Sequence, residues 1–156
     1  MVRNALSLNF RLGCLSGLIT MLLLAAGAAE AQNIPSAAKQ EVLIRSTLST
    51  FNDANLSGDY SVMDLLASKP FHEQVGAEKL KSGFKEFADK RLDLVEVVVA
   101  KLTPTKPTTV DGDGVMTTEG YFDLSQLRLH YTLKHILSDA QWKLIDINVT
   151  TAELPK

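Results

Sequence analysis

The spacing of apolar residues changes from helical to strand-like about 90 residues into this 156-residue chain. Before that point, apolar residues recur every three or four positions, which is the spacing of one face of an α-helix. Ile44, Leu48 and Phe51 form such a stripe, which predicts a first helix over residues 36–57. Gly58 is well placed to end this helix in the left-handed conformation.

Two further helices are predicted before the spacing changes. Asp59 is placed to cap a short second helix, and Lys69-Pro70 to stop it, because a residue before proline avoids helical geometry. Residues 71–76 are predicted to link it to a third helix. The predicted buried sides are Tyr60, Met63, Leu66 and Ala67 in the second helix, and Leu80, Phe84, Phe87 and Ala88 in the third.

The segment that follows Asp93 has the composition of a strand. Residues 94–100 are rich in β-branched side chains and apolar on both alternating faces, which predicts a strand covered on two sides. Residues 103–109 contain two prolines and are predicted to form a loop, since proline cannot donate to a sheet ladder. Asp111-Gly112-Asp113-Gly114 is a strong turn signal.

The last third of the chain predicts three strands joined by short turns. They cover about residues 115–124, 127–137 and 141–149. Gly120, inside the first of them, is typical of a bulge or bend. Strand alternation places one set of side chains on a single face of the second: Leu127, Leu129, Tyr131, Leu133, His135 and Leu137.

Helices followed by an antiparallel meander predict an α+β fold, with three N-terminal helices packed on a curved, mainly antiparallel four-stranded sheet. With this order the chain resembles the nuclear transport factor 2-like superfamily, whose cystatin-like cone is shared with ketosteroid isomerases and SnoaL-like polyketide cyclases. The resemblance covers residues 36–150 and implies a single domain over residues 32–152. It is carried by Gly58-Asp59-Tyr60 after the long helix, by Gly120 and by the closing segment 142–147.

The resemblance implies a pocket at the open end of the cone. Pockets of this kind are lined mainly by apolar and aromatic side chains with a few polar groups. The residues predicted to line it are Phe51, Tyr60, Phe71, His72, Tyr131, His135 and Trp142. The resemblance also implies a homodimer through the outer sheet face, which would bear Arg128, His130, Thr132, Lys134 and Ile136.

The amino terminus has the features of a secretory signal peptide. Arg3 and Arg11 supply positive charge, residues 15–28 form an apolar run, and Ala29-Glu30-Ala31 provides a small-x-small pattern that predicts cleavage after Ala31. The apolar run is shorter than the roughly 20 residues that span a bilayer. We therefore expect an exported, periplasmic or secreted domain with no membrane anchor after cleavage.

Cleavage would leave 125 residues with a net charge of −3, because it removes two of 16 basic and one of 18 acidic residues. This balance argues against non-specific binding to nucleic acid, which needs clustered positive charge. The only cysteine, Cys14, would leave with the signal, so no disulfide is expected in the exported domain. A cysteine-free exported chain favours a bacterial periplasm.

The sequence predicts no catalytic or metal-binding constellation and no cofactor. His72-Glu73 lacks the second histidine that a zinc-protease motif needs at position 76. His130 and His135 are an odd number of residues apart on a strand, so they face opposite ways. The acid that a calcium loop starting at Asp111 would require falls on Phe122.

Three functions are left open by the sequence. The first is an exported, non-catalytic domain that binds a small apolar ligand or a protein partner. The second is an enzyme of the isomerase, dehydratase or cyclase type, with His72 or His135 as general base. The third is a structural homodimerisation module. The first two are distinguished by whether a histidine and a carboxylate or tyrosine converge within one cavity.

Overall fold

A computed structural model of the chain describes residues 34–155. Within them, five α-helices precede an open, antiparallel five-stranded sheet in an α+β arrangement. The predicted signal peptide and its cleavage at Ala31 lie outside the described residues. No helix between residues 34 and 155 is both long and apolar enough to cross a membrane. The elements are α1 Ala37–Ser57, α2 Ser61–Leu66, α3 Lys69–Gln74, α4 Gly76–Gly83, α5 Lys85–Asp89, a 3-10 helix Val95–Val98, β1 Leu102–Pro104, β2 Thr109–Val110, β3 Val115–Asp123, β4 Arg128–Ser138 and β5 Gln141–Ala152.

Helix α1 begins and ends as the sequence predicts. The Ser36 hydroxyl accepts from the Lys39 N–H at 3.4 Å, which satisfies one of the unpaired donors of the first turn. Gly58 has a φ of 73°, and its N–H donates to the Ala54 carbonyl at 2.8 Å. Only glycine adopts this left-handed conformation without strain, so Gly58 ends the helix sharply.

The prediction that Lys69-Pro70 would stop a helix and lead into a linker is wrong. Helix α3 begins there, because proline is tolerated in a first turn, where its missing N–H has no partner to lose. Ser68 caps the helix by accepting from the Phe71 N–H. Residues 69–74 are therefore helical.

The predicted third helix is divided in two. Phe84 has a φ of −106° and a ψ of 18°, so α4 ends and α5 begins at this residue. Leu80 and Phe87 are buried as predicted, whereas Leu66, predicted to be buried in α2, is exposed. With α3 and the divided helix, the chain has five α-helices where three were predicted.

The strand predicted over residues 94–100 is a 3-10 helix instead. Its burial follows a period of three, with Leu94 and Val97 fully buried. Side chains of α1 hold the chain in this turn. The side-chain oxygen Oδ1 of Asn52 accepts from the Leu94 N–H at 2.7 Å, and the Arg45 guanidinium donates to the Val97 carbonyl. These contacts join positions about 40 or more residues apart, so local β-propensity could not reveal them.

The sheet has the order β1-β3-β4-β5, and β2 pairs with β3 beside β1. The segment predicted as a proline-containing loop thus supplies short pairing segments on one edge, which makes five strands where four were predicted. Pro104 ends β1 on that edge, where a missing donor is tolerated. The curved cone implied by the family resemblance stays a prediction.

The three predicted C-terminal strands are confirmed as β3, β4 and β5. Strand β4 pairs with both neighbours, and a register shift between Lys134 and His135 marks a β-bulge in its pairing with β5. Asp139 and Ala140 both have positive φ, 53° and 60°, in the two-residue turn that joins β4 to β5. This geometry matches the right-handed twist of the two strands.

The core lies between α1 and the inner face of the sheet. Helix α1 contributes Ile44, Leu48 and Phe51, all of them buried. Fully burying a side chain of this kind contributes roughly 1.5–3 kcal/mol. Facing them, the sheet contributes the buried side chains of Phe122, Leu124, Leu129, Tyr131, Leu133, Leu144 and Val149.

Candidate binding site

Four of the seven residues predicted to line a pocket lie in the core. Phe51, Tyr60, Phe71 and Tyr131 are all at most 3% exposed. The Phe51 ring meets the rings of Phe84 and Phe87 edge-on, with centroids 4.6 and 5.3 Å away. The space between α1 and the sheet is therefore occupied here by the protein's own aromatic side chains.

Tyr131 lies across the position of Gly120 on the neighbouring strand. A Cβ atom at Gly120 would stand 2.6 Å from the Tyr131 hydroxyl oxygen and 2.6 Å from the Thr103 carbonyl oxygen. The register of β3 with β4 is continuous through this pair, so Gly120 marks a close approach and not the predicted bulge. Burial raises the pKa of Tyr131 to about 12, which keeps its hydroxyl protonated.

His135 is a buried, neutral histidine that contacts α1. Its Nε2 lies 3.4 Å from the Thr47 hydroxyl oxygen, while its Nδ1 is buried without a hydrogen-bond partner. Burial lowers the pKa of His135 from 6.5 to about 4, because the charged imidazolium would lose its hydration. The ring is therefore uncharged at neutral pH.

His72 lies outside the core and pairs with a carboxylate. Its Nδ1 is 2.7 Å from Asp64 Oδ2, and the His72 side chain is 63% exposed while that of Asp64 is 11% exposed. Trp142, the last predicted pocket residue, is half-buried near the end of the β4–β5 hairpin, opposite Leu137. The structure thus spreads the seven predicted residues over the core and two separate surfaces.

A cavity of about 140 Å³ lies beside α1, on the flank that faces α2 and β5. One wall consists of hydroxyl-bearing residues of α1 and the other of apolar side chains. None of the seven predicted pocket residues lines it, although Thr47 connects it to His135. We call it the flank cavity, and it is lined by Ser46, Thr47, Thr50, Met63, Leu66, Ala67 and Leu144.

The hydroxyls of the flank cavity are not equivalent as hydrogen-bond donors. Ser46 donates to the Leu43 carbonyl and Thr50 to the Ser46 carbonyl, both within α1. Thr47 faces His135, and the two possible tautomers of that ring differ in cost. With the proton on Nε2, Thr47 accepts and Nδ1 retains only an unpaired lone pair. The other tautomer would bury an unpaired N–H, which is rare in proteins.

The hydroxyl hydrogen of Thr47 is then free to point into the flank cavity. Sequence reasoning missed this site because it searched for aromatic residues and histidines. The available signal was the spacing of Ser46, Thr47 and Thr50, which places three hydroxyls along one flank of a predicted helix.

The groups that could act as acid or base do not converge on the flank cavity. His135 and Tyr131 share a face of β4 but lie four residues apart, about 13 Å along a strand. Asp64 and His72 converge, but neither lines the flank cavity. Among residues 34–155, no group of three or more histidine, cysteine or acidic side chains is arranged to hold a metal ion.

No family model matches the chain, and neither a curated protein nor a solved structure does so. The flank cavity is the place where apolar surface and a free donor meet in one half-open volume.

Proposed function

We propose that the chain is a non-catalytic binding domain that holds a small apolar ligand in the flank cavity. The observation that carries this proposal is the pairing of an apolar wall with a single free hydroxyl donor, Thr47. Ligand sites are commonly apolar with few polar groups that fix orientation. Here Met63, Leu66 and Leu144 supply apolar surface, and the buried His135 holds Thr47 in place.

The size of the flank cavity sets the size of the ligand. An enclosed apolar cavity of roughly 150 Å³ accommodates benzene, and the flank cavity measures about 140 Å³. The ligand is therefore a ring of five to seven atoms, or the end of a longer chain that leaves past the exposed Leu66. A hydrogen-bond acceptor on the ligand, such as a carbonyl oxygen, would meet the Thr47 hydroxyl.

The cellular setting and the family are part of the same proposal. The order of helices before an antiparallel sheet supports membership of the nuclear transport factor 2-like superfamily, and the N-terminal sequence supports export. A homodimer through the outer sheet face receives less support. On that face Arg128 pairs with Asp123 at 2.6 Å and Lys134 with Asp146 at 2.9 Å, so burial there would have to desolvate two ion pairs.

The test is an NMR titration of the ¹⁵N-labelled protein with cyclohexanone, and in parallel with cyclohexane. We expect saturable shifts at Thr47, Leu66 and Leu144 with both compounds, and tighter binding of the ketone. Thr47→Val should weaken ketone binding about three- to tenfold, the value of one hydrogen bond, and leave cyclohexane binding unchanged.

The matched control is Thr50→Val, because Thr50 lines the same cavity while its hydroxyl donates within the helix. This variant should bind both compounds as the parent protein does. If neither compound shifts the flank cavity residues up to its solubility limit, the proposed function is wrong. Equal losses in the two variants would contradict the assigned role of Thr47.

A second candidate is an enzyme that uses His72 as general base, which the 2.7 Å contact with Asp64 favours. A carboxylate bound to one ring nitrogen orients a histidine and leaves the other nitrogen able to take a proton. This candidate predicts that His72→Gln abolishes turnover in a screen of ketosteroid and enol-ether substrates while the fold is retained. Parent protein that turns over no substrate in that screen would exclude it.

A further inference from the structure

Strand β5 forms one edge of the sheet, and its backbone groups that point away from β4 are largely unpaired. One edge of the strand pairs with β4. On the other edge, near the start of the strand, the Leu144 carbonyl accepts from the Ser68 N–H at 2.8 Å. Among residues 34–155, no backbone group makes such a bond to residues 146–152 on the edge that points away from β4. This edge thus presents free donors and acceptors.

The residues that present these groups follow from strand geometry. In an antiparallel strand, residues whose side chains share a face also direct N–H and C=O to the same edge. The Leu144 side chain is buried on the inner face of the sheet, and its carbonyl points to the edge away from β4. Beyond the bulge, Ile147, Val149 and Thr151 occupy that face, so their backbone groups point to the open edge.

A groove runs beside this edge, between β5 and the helices α4 and α5. Its volume is about 530 Å³, and its apolar lining includes Phe84, Phe87, Leu92, Ile147 and Val149. We call it the edge groove. It is separate from the flank cavity, with which it shares no lining residue.

The edge groove carries no net charge. Its two ionised side chains, Glu86 and Lys90, form an ion pair with each other. The strand segment 147–152 contains no charged residue and no proline, two of the features by which proteins block an exposed edge. A neutral groove beside an unblocked edge is complementary to an uncharged, extended segment.

We propose that the edge groove binds an extended, uncharged peptide segment of another protein, which adds to the sheet beside β5. Its backbone would pair with Ile147, Val149 and Thr151, and every second side chain would enter the groove against Phe84 and Phe87. β-Branched residues at those alternate positions suit the strand geometry, and their methyl groups would meet the apolar part of a lining that also exposes polar groups.

A second copy of this chain suits the groove less well. Two-fold pairing of β5 with β5 would place the helices α4 and α5 of both copies on the same side of the joined sheet. Each pair of helices already walls the space beside its own β5, so the two pairs would compete for that space. A single strand brings no helices with it.

The test is a titration of the full ¹⁵N-labelled protein with a capped heptapeptide of alternating valine and threonine. We expect shifts at residues 147–151 and at Phe84 and Phe87. A peptide N-methylated at alternate residues, which cannot donate to the edge, should not bind. Thr151→Lys should weaken binding about tenfold or more, because it places a charge in the groove.

Thr109→Lys is the matched control, because this threonine is also exposed in an edge strand but lies at the opposite edge of the sheet and does not line the edge groove. It should bind the peptide as the parent does, and thermal melting checks that both variants fold. No shift with the parent protein, equal losses in both variants, or equal binding of the N-methylated peptide would overturn the proposal. Self-association of the parent without peptide, abolished only by Thr151→Lys, would identify a second copy as the occupant and overturn it as well.

Discussion

Two sides of helix α1 meet different surroundings. One side carries Ile44, Leu48 and Phe51, which are buried against the sheet and the aromatic rings of Phe84 and Phe87. The adjoining flank carries hydroxyl-bearing residues and lines a cavity of about 140 Å³. The helix thus separates a filled interior from a partly empty flank.

This difference shows that the size of apolar residues does not locate a pocket. The rings of Phe51, Phe84 and Phe87 pack against one another, because filling the interior with aromatic rings stabilises a domain without disulfides. Space is left where small hydroxyl residues of α1 face Met63 and Leu66. Substitutions on either side of the helix test this difference.

The largest effect is expected from Phe51→Ala, which empties the filled side. We expect the free energy of unfolding to fall by about 3–5 kcal/mol, because the substitution leaves a cavity among Phe84 and Phe87. Urea denaturation measures it. The control is Leu56→Ala on the same helix, where the side chain is exposed and a change of at most about 0.5 kcal/mol is expected. A small loss in Phe51→Ala would mean that the interior is not tightly filled.

The next effect is acid sensitivity caused by His135 at the boundary between the two sides. The pKa of His135 is about 4 in the fold and 6.5 ordinarily, so below pH 6.5 the unfolded chain binds a proton that the folded chain does not. Stability should therefore be unaffected above pH 6.5 and fall by about 3 kcal/mol between pH 6.5 and 4.

Denaturation of the parent, His135→Gln and the control His130→Gln across this pH range tests the assignment. The slope should be reduced in His135→Gln and kept in His130→Gln. An NMR titration of the His135 ring in the folded protein provides an independent measurement. A midpoint near 6.5 would show that this ring is hydrated and that the cavity beside it is open to water.

A smaller loss is expected from Gly120→Ala on the filled side. The new methyl group would stand 2.6 Å from the Thr103 carbonyl oxygen and from the Tyr131 hydroxyl oxygen, so one strand has to shift. We expect a loss of about 1–3 kcal/mol. Adding Tyr131→Phe should recover only part of it, because the backbone contact remains. Gly83→Ala has open space around it and should be neutral or stabilising by up to about 1 kcal/mol.

The smallest effect on stability is expected from Leu66→Ala on the flank. Leu66 is 61% exposed, so the change in unfolding free energy should stay within about 0.5 kcal/mol. Cyclohexanone binding should nevertheless weaken measurably, because Leu66 lines the flank cavity. Leu65→Ala is the matched control, since Leu65 is the neighbour of Leu66, is also exposed and does not line the cavity. Equal cyclohexanone binding by both variants would show that the ligand binds at another site.

Local signals in the sequence were sufficient for much of the fold. The cap at Gly58, the turn at residues 111–114 and the last three strands depend on neighbouring residues, and they are confirmed. The segment 69–76 was predicted wrongly because a proline and its cap, Ser68, can begin a helix as well as follow one. The segment 94–100 was predicted wrongly because distant partners decide its conformation. Asn52 and Arg45, for example, bind the backbone of the 3-10 helix from α1.

The candidate site was harder to predict than the fold. Periodicity shows which side of an element faces inwards, and it placed His135 and Tyr131 correctly on the inner face. It does not show how far apart two facing elements lie, so it could not separate a filled interior from a cavity. That Thr47 and Leu66 line one cavity follows only from the packing of α1, α2 and β5.

The distance along the chain between Thr47 and His135, 88 residues, has a consequence for the order of folding. Strands β3, β4 and β5 pair with their neighbours in sequence, so these hairpins can form from local contacts. Helix α1 can pack against α5 and the 3-10 helix as they appear, but it finds its partners in the sheet only when the last strands exist. We therefore expect the incomplete chain to expose the face around Leu48 throughout its synthesis, and chaperones that bind apolar helices to recognise this part of the nascent chain.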